Sequence, residues 1–213
     1  MNISSYSRVW VTSDTHFGHA NIIKYCDRPF TFVNDMDEHI INSWNNCVGD
    51  EDLVIHLGDV AFKGKTFSDQ ILPRLKGRKL LIKGNHDKRE NLEEFFSEGI
   101  YDYLYISRGK RQYALFHFPI ESWDGKYHDI PHLHGHCHGT VDNSGLLRFD
   151  MGWDVWESLV DLDWLGKHIE ENKYKYLSKT PPIPFRDTFF KKLYLRAVKE
   201  EGEETLSQLN LGI

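Results

Sequence analysis

The stretch RVWVTSDTHFGH, residues 8–19, decides the fold class of this chain. Its first half, residues 8–13, is apolar and β-branched, which predicts a short buried strand. At Asp14 the apolar run stops, and Asp and His side chains replace it. A strand that ends in such a polar loop is typical of α/β proteins, in which functional groups collect at the carboxyl ends of strands. We therefore expect an α/β fold with chemistry at one sheet edge.

The same order of strand and polar loop occurs twice more along the chain. Residues 53–57 run into Gly58-Asp59, and residues 79–82 run into the tetrapeptide Gly84-Asn85-His86-Asp87. Segments of helical spacing lie between the strands, at 34–47 and 67–75. Because parallel strands end at a common edge, the three polar loops are expected to meet there.

The second half of the chain predicts shorter strands and a second, more antiparallel sheet. Its predicted strands are 112–116, 132–135 and 146–150, with a packed return strand at 151–156. A helix is expected at 159–171. We expect a domain over residues 1–178 and a C-terminal helical extension over residues 179–213 packed on it, because a proline-rich stretch at 181–184 separates the two.

Composition narrows the class of protein. The 213 residues fit one domain, and the formal net charge of −6 argues against binding duplex nucleic acid, which needs a basic face. Three widely spaced cysteines form no disulfide framework, so a reducing cytoplasm is the expected location. No stretch approaches the roughly 20 apolar residues of a membrane span, and we expect no membrane partner.

Seven side chains at or just after predicted strand ends are candidate metal ligands. They are Asp14, His16, Asp59, Asn85, His117, His136 and His138. Oxygen and imidazole donors without thiolates suit a catalytic site for Mn²⁺, Fe, Zn²⁺ or Ni²⁺ rather than a structural zinc site. In Asp14-Thr15-His16 and in His136-Cys137-His138 the one-residue gap would place two donors on the same side of an extended segment. Two such pairs indicate two ions.

These residues resemble the calcineurin-like metallophosphoesterase family, in particular its small prokaryotic and phage-type members. The family pattern is D-x-H, G-D, G-N-H-D, an isolated His and G-H-x-H, and all five pieces occur here in that order between residues 8 and 154. The resemblance implies a four-layer αββα sandwich, in which helices flank two mixed β-sheets. It also implies a dinuclear metal site at the edge that the sheets share.

The resemblance further implies how two divalent ions are held. One ion would be bound by Asp14, His16, Asp59 and His138. The other would be bound by Asp59, Asn85, His117 and His136. Asp59 would bridge ions about 3.5 to 4 Å apart, and a hydroxide shared by them would attack phosphorus in line. Mn²⁺ is the first expectation, with Fe, Zn²⁺ or Ni²⁺ as alternatives.

The third motif supplies a candidate catalytic acid, His86, and a residue expected to support it, Asp87. The resemblance implies that His86 protonates the leaving alkoxide or stabilises charge in the transition state. Asp87 is expected to orient the His86 imidazole, which would keep it protonated near pH 7.

Three further residues are candidates for substrate contact, each with a simpler alternative. His19 follows the first motif, but it could cap a helix instead. Arg28 could bind a phosphate oxygen bidentately, although a solvated loop arginine is common. Trp123 could stack on a nucleobase, or it could anchor its own loop.

The expected activity is hydrolysis of a phosphate ester, with a phosphodiesterase acting on a small or nucleotide-type substrate favoured. The chain is compact and leaves little room for a cap that would enclose one monoester. The alternatives are a phosphomonoesterase, which uses the same chemistry, then a nuclease, and last a non-catalytic scaffold of the same fold. The sequence leaves the oligomeric state open.

Overall fold

A computed structural model of the protein describes residues 1–178. The predicted extension over residues 179–213 lies outside the described residues. No helix between residues 1 and 178 is long and apolar enough to cross a membrane.

The first sheet has five strands in the order β4-β3-β2-β1-β9. Its strands are β1 (Val9–Thr12), β2 (Leu53–His56), β3 (Arg78–Ile82), β4 (Ile100–Tyr101) and β9 (Val160–Asp161). Strands β1 to β4 are parallel, and β9 pairs with β1 in the antiparallel direction. The carboxyl ends of β1, β2 and β3 therefore lie side by side.

The second sheet has four strands in the order β5-β6-β7-β8. They are β5 (Tyr103–Arg108), β6 (Arg111–Phe116), β7 (His132–His134) and β8 (Arg148–Asp150). Only the hairpin of β5 and β6 is antiparallel, since β6, β7 and β8 run parallel. The sheet is thus mixed, and less antiparallel than the sequence predicts.

Successive side chains of the central strands point to opposite faces of the first sheet, which divides the core into two clusters. In β1, Val9 and Val11 join the cluster that also contains the apolar side chains of the second sheet, such as Leu115 and Leu133. Trp10, on the other face of β1, packs in the cluster that contains apolar side chains of the helices near the first sheet. A strand buried on both faces explains why its sequence is continuously apolar. One cluster thus joins the two sheets, and the other joins the first sheet to its helices.

The helices complete an α/β fold with two mixed sheets and flanking helices, as predicted. They are α1 (Ala20–Tyr25), α2 (Val33–Cys47), α3 (Lys65–Ile71), α4 (Trp153–Trp156) and α5 (Leu162–Leu177). Helix α2 begins one residue earlier than expected, after Phe32. Helix α5 runs to Leu177 rather than ending near residue 171, because Leu165, Ile169 and Tyr176 carry its apolar face onto the core between the sheets.

Candidate metal centre

The loops that follow β1, β2 and β3 meet at one edge of the first sheet. The Asp14 N–H donates to the Gly58 carbonyl over 2.9 Å, and the His16 N–H donates to the Asp59 carbonyl over 3.1 Å. The first two polar loops are therefore held together by backbone hydrogen bonds. Their side chains lie at the carboxyl ends of parallel strands, where α/β proteins bind ligands.

The structure brings six of the seven predicted ligands into two groups of three. Asp14, His16 and His138 form the first, which we call the Asp14 triad. The second, the Asp59 triad, contains Asp59, His117 and His136. Within each triad the ligand atoms lie within 4.8 Å of one another. The two histidines of the last motif thus belong to different triads.

One oxygen of Asp59 lies between the two triads. Its Oδ2 is 3.7 Å from Nε2 of His16 and 3.5 Å from Nε2 of His117. The seventh predicted ligand, Asn85, has its Oδ1 3.0 Å from the same His117 nitrogen. All seven predicted ligands therefore belong to one continuous cluster.

The backbone at the cluster is in an unusual conformation. Five of the seven predicted ligands have positive φ angles, although none is glycine: Asp14 (55°), His16 (51°), Asp59 (57°), His136 (71°) and His138 (49°). Such residues are uncommon, and they concentrate at functional sites because the surrounding structure must hold them. The extended geometry expected for the two D-x-H and H-x-H pairs is therefore wrong. Left-handed turns aim the side chains instead.

Two motif glycines provide room for the carboxylates. A Cβ built on Gly84 would overlap Oδ1 of Asp59, and one built on Gly135 would overlap Oδ2 of Asp14. Any larger residue at either position would displace a carboxylate or the backbone. The glycines of these motifs are thus required for close approach to the site.

The donor atoms fit divalent cations. Nε2 of His16 is buried and has no hydrogen-bond partner among residues 1–178, while carboxylate oxygens of Asp14 and Asp59 lie 3.9 and 3.7 Å away. These distances are too long for hydrogen bonds, yet they suit atoms that surround a shared ion. The set contains Asp, Asn and His donors, which suits borderline first-row metals.

The ionisation of the cluster also favours a bound cation. Burial raises the pKa of Asp14 to about 7 and lowers the pKa of His16 to about 3. Burial would also raise the pKa of Asp59, but hydrogen bonding to His117 and to the His86 N–H lowers it overall. A cation would stabilise the carboxylate form of Asp14 and use the free lone pair of neutral His16.

A partly buried chain of charges supports the Asp14 triad. Nδ1 of His138 is 2.7 Å from Oδ2 of Asp154, and Asp154 accepts two hydrogen bonds from Arg28, from Nε over 2.7 Å and from Nη2 over 2.8 Å. Burial alone would lower the pKa of His138, but Asp154 and Cys26 raise it to about 11. A carboxylate on the far nitrogen of a histidine fixes the ring, and a metal at Nε2 would displace the proton that the raised pKa keeps there.

Arg28 is therefore a supporting residue rather than a phosphate ligand. Its side chain is only 2% exposed, and its Nη atoms also donate to the backbone carbonyls of Asp14 and Thr15. Every strong donor of the guanidinium is already directed into the protein. The predicted contact of Arg28 with substrate is wrong, because the side chain is buried and its guanidinium is paired with the Asp154 carboxylate.

The side chains of His86 and Asp87 lie in different environments. The His86 ring is exposed, and its centre lies 5.7 Å from that of His16. The buried Asp87 carboxylate instead accepts backbone N–H groups of Asp59, Val60 and Gly84 over 2.8 to 2.9 Å. The predicted orientation of His86 by Asp87 is thus wrong, because both oxygens of Asp87 fasten the second and third loops together.

The other two candidates for substrate contact differ in position. His19 lies near the cluster, with its ring centre 5.5 Å from that of His16, and it stacks on Phe62 at 4.0 Å. It also occupies the N-cap position of α1, without a side-chain capping bond. Trp123 is 7% exposed and donates from Nε1 to the Ile130 carbonyl over 2.8 Å. Trp123 is thus the anchor of its loop, and the predicted stacking on a nucleobase is wrong.

The site residues predicted from sequence do not include the supporting carboxylates Asp154 and Asp150. Residues 151–156 are predicted to form a strand, whereas the structure has the helix α4 at Trp153–Trp156. Asp154 in that helix supports His138, and Asp150 accepts the N–H groups of Gly139 and Gly152. An acidic residue within an otherwise apolar stretch next to the last ligand motif is the signal that could have found them.

The fold and the cluster of donor atoms define an α/β protein with a candidate site for divalent metals. The sequence pattern of the family described as calcineurin-like phosphoesterase matches residues 7–203. The chain belongs to this family, whose members hydrolyse phosphate esters with divalent metals.

Similar proteins come from archaea, phages and bacteria. The uncharacterised protein MJ1445 of Methanocaldococcus jannaschii is 37% identical over 139 residues, which cover 64% of this chain and 72% of that protein. The Gene 66 protein of Mycobacterium phage D29 is 30% identical over 196 residues, covering 78% and 97%. The protein of unknown function AQ665 from Aquifex aeolicus has a similar fold, with a TM-score of 0.59 at 23% identity, covering 76% of this chain and 99% of that one.

Proposed function

We propose that this protein is a phosphodiesterase that uses two divalent ions, with Mn²⁺ preferred, on a small or nucleotide-type substrate. The observation that carries the proposal is the position of Asp59, whose Oδ2 is 3.7 Å from His16 and 3.5 Å from His117. A carboxylate oxygen between two groups of ligands is suited to bridge a pair of cations.

Each residue of the cluster has a proposed task. Asp14, His16, Asp59 and His138 would hold one ion, while Asp59, Asn85, His117 and His136 would hold the other. When bound, such ions supply charge that binds the phosphate and lower the pKa of a water near neutral pH. The two buried carboxylates return only part of the +4 charge, so the site attracts an anion in spite of the net charge of −6.

His86 is the proposed general acid. It is exposed beside the cluster, and its backbone N–H donates to Oδ1 of Asp59 over 2.9 Å. This hydrogen bond fixes the His86 backbone relative to Asp59, the proposed bridging residue. Because the His86 side chain is exposed, its imidazole can reach a leaving oxygen without the help of Asp87.

The openness of the cluster favours a diester over a monoester. Asn85 and His86 of the third motif are exposed, and His136 and His138 of the last motif are half-buried, so the cluster is open beside two different loops and a substituent on the phosphorus can extend past either one. A diester needs such room on two sides, whereas a monoester needs it on one.

The test compares two model esters with the full-length protein. We expect hydrolysis of bis-p-nitrophenyl phosphate to exceed that of p-nitrophenyl phosphate in kcat/KM, with Mn²⁺ restoring most activity to chelated enzyme. His86→Ala should lower kcat for an ester with a poor leaving group about a hundredfold while the metal content is kept. A preference for the monoester would favour the phosphomonoesterase. Two bound ions without turnover of either ester would favour the scaffold.

A further inference from the structure

A cavity of about 300 Å³ adjoins the proposed active site on the side of His86. We call it the lysine pocket, and the lining residues that matter here are Phe62, Lys63, His86, Lys88 and Asn91. His86 connects it to the metal cluster, because its ring centre is 5.7 Å from that of His16 and 5.7 Å from that of Phe62. The pocket therefore begins one side chain away from the Asp14 triad.

The two lysines of the lysine pocket form no ion pair in the described part of the chain. Lys63 and Lys88 are exposed, and within residues 1–178 neither forms an ion pair with a carboxylate. The neighbouring Lys65 contrasts with them, since it pairs with both Asp69 and Glu94 and does not line the pocket. Lys63 Nζ also lies 5.4 Å from the centre of the Phe67 ring. Two ammonium groups without a carboxylate partner among residues 1–178, on one cavity of an acidic protein, favour the binding of an anion.

An aromatic ring completes the pocket. Phe62 is 49% exposed, although exposed phenylalanine is costly in water. Its ring is stacked on His19 at 4.0 Å with an interplanar angle of 8°, which holds it in place beside the cluster. Cationic side chains together with a fixed aromatic ring are the combination that binds single-stranded nucleotides, by phosphate contact and by base stacking.

We propose that the lysine pocket binds a second phosphate, carried by the leaving group, and that the substrate is a dinucleotide or a short single-stranded oligonucleotide. This inference rests on the proposed phosphodiesterase function. In the reaction, water loses a proton to solvent and its oxygen bonds to phosphorus, the P–O bond to the leaving nucleoside breaks, and the leaving oxygen takes up a proton, which His86 would supply and regain from solvent. The leaving nucleotide would place its phosphate on Lys63 and Lys88 and its base on Phe62.

The test uses thymidylyl-thymidine without a terminal phosphate, with a 5′-terminal phosphate and with a 3′-terminal phosphate. Chromatography of the products identifies which nucleoside leaves. We expect the dinucleotide whose leaving nucleoside carries the phosphate to be cleaved at the internal ester with kcat/KM about tenfold above that of the unphosphorylated one. This ratio should fall to near one in the double variant Lys63→Gln/Lys88→Gln.

The matched control is Lys65→Gln, which removes a nearby lysine that is already paired. It should keep the wild-type ratio. A ratio near one in the wild type, or an unchanged ratio in the double variant, would overturn the inference while leaving the phosphodiesterase proposal intact. Failure of the wild type to cleave bis-p-nitrophenyl phosphate would overturn the phosphodiesterase proposal and the inference with it.

Binding gives a second readout that does not depend on turnover. Thymidine 3′,5′-bisphosphate should bind the metal-loaded wild type about tenfold more tightly than thymidine in isothermal titration calorimetry, and the advantage should shrink in the double variant. Phe62→Leu should weaken the binding of both compounds severalfold, because it removes the stacking surface but keeps an apolar side chain. Equal affinity of the double variant and the wild type for the bisphosphate would contradict the assignment.

Discussion

The Asp14 triad and the Asp59 triad have similar donors, but the protein supports them differently. The Asp14 triad is supported by charged side chains, because His138 pairs with Asp154 and Asp154 pairs with Arg28. The Asp59 triad is held mainly by the backbone, through the Leu57 carbonyl at 2.7 Å from Nδ1 of His117 and the His86 N–H on Asp59.

The two triads are equally buried, since each contains two buried residues and one half-buried histidine. Their surroundings differ, because Asn85 and His86 are exposed where the His86 N–H meets Asp59. The difference between the triads is therefore one of support, which comes from charged side chains at the Asp14 triad and from backbone groups at the Asp59 triad.

Asp59→Asn should have the largest effect, because it removes the charge that the two triads share. We expect kcat/KM for bis-p-nitrophenyl phosphate to fall about a thousandfold and the bound metal to fall for both sites. Elemental analysis with steady-state kinetics measures both. Asp102→Asn, at an exposed carboxylate, is the control. Retention of both ions and of activity would remove Asp59 from the bridging position.

A matched pair of glycine variants should perturb the triads one at a time. Gly84→Ala would crowd Asp59, and Gly135→Ala would crowd Asp14. Each should lower kcat/KM about a hundredfold, since small displacements of catalytic ligands are costly. Gly49→Ala is the control, because its Cβ would meet only Asp52 at an ordinary 3.5 Å. Activity of Gly84→Ala and Gly135→Ala equal to that of Gly49→Ala would show that these loops tolerate the added methyl group.

Asp154→Asn should weaken the Asp14 triad selectively. It removes the carboxylate that fixes His138 and leaves the Arg28 guanidinium unpaired in the interior. We expect one of the two ions to dissociate about tenfold to a hundredfold more readily, as measured by chelator titration. Asp142→Asn serves as an exposed control, and urea unfolding checks that the variant is folded. Equal weakening of both ions would contradict the asymmetry between the triads.

His56 should make the stability of the metal-free protein depend on pH. Its Nδ1 accepts the Gly58 N–H over 3.2 Å, and burial lowers its pKa from 6.5 to about 3. The folded state therefore binds fewer protons than the unfolded state below pH 6.5, and stability is lost as the pH falls. Between pH 6.5 and 5 the wild type should lose about 2 kcal/mol more unfolding free energy than His56→Gln. Urea unfolding at both pH values measures this difference, and parallel losses in the two proteins would contradict it.

The sequence predicted the fold class well because its strands are buried on both faces. Residues 8–13, 53–57 and 79–82 contain apolar runs at 9–11, 53–55 and 80–82 and are followed by polar loops, so their type and their common edge follow from local pattern. The predicted helix at 159–171 and the predicted strand at 151–156 were less accurate. In both regions the local structure depends on how aromatic and apolar side chains pack against the two sheets. The sequence of one segment does not show which side chains it will pack against.

The supporting residues were the hardest to predict. Arg28 and Asp154 are 126 positions apart, and nothing local indicates that they pair. The sequence therefore predicts that Arg28 is an unpaired loop arginine. It likewise predicts that Asp87 pairs with its neighbour His86. Their partners are set by long-range contacts that only the folded chain defines.

By itself the sequence determined which donor atoms the site contains, because residue type fixes the chemistry of carboxylates, amides and imidazoles and the ordered motifs fix their place in the chain. Only the tertiary structure decided how these donors divide into two triads, which of them are buried, and which charges stand behind them. The physical reason is that left-handed turns at Asp14, His16, Asp59, His136 and His138 aim the side chains. Such conformations are stable only where the packing of the whole fold enforces them.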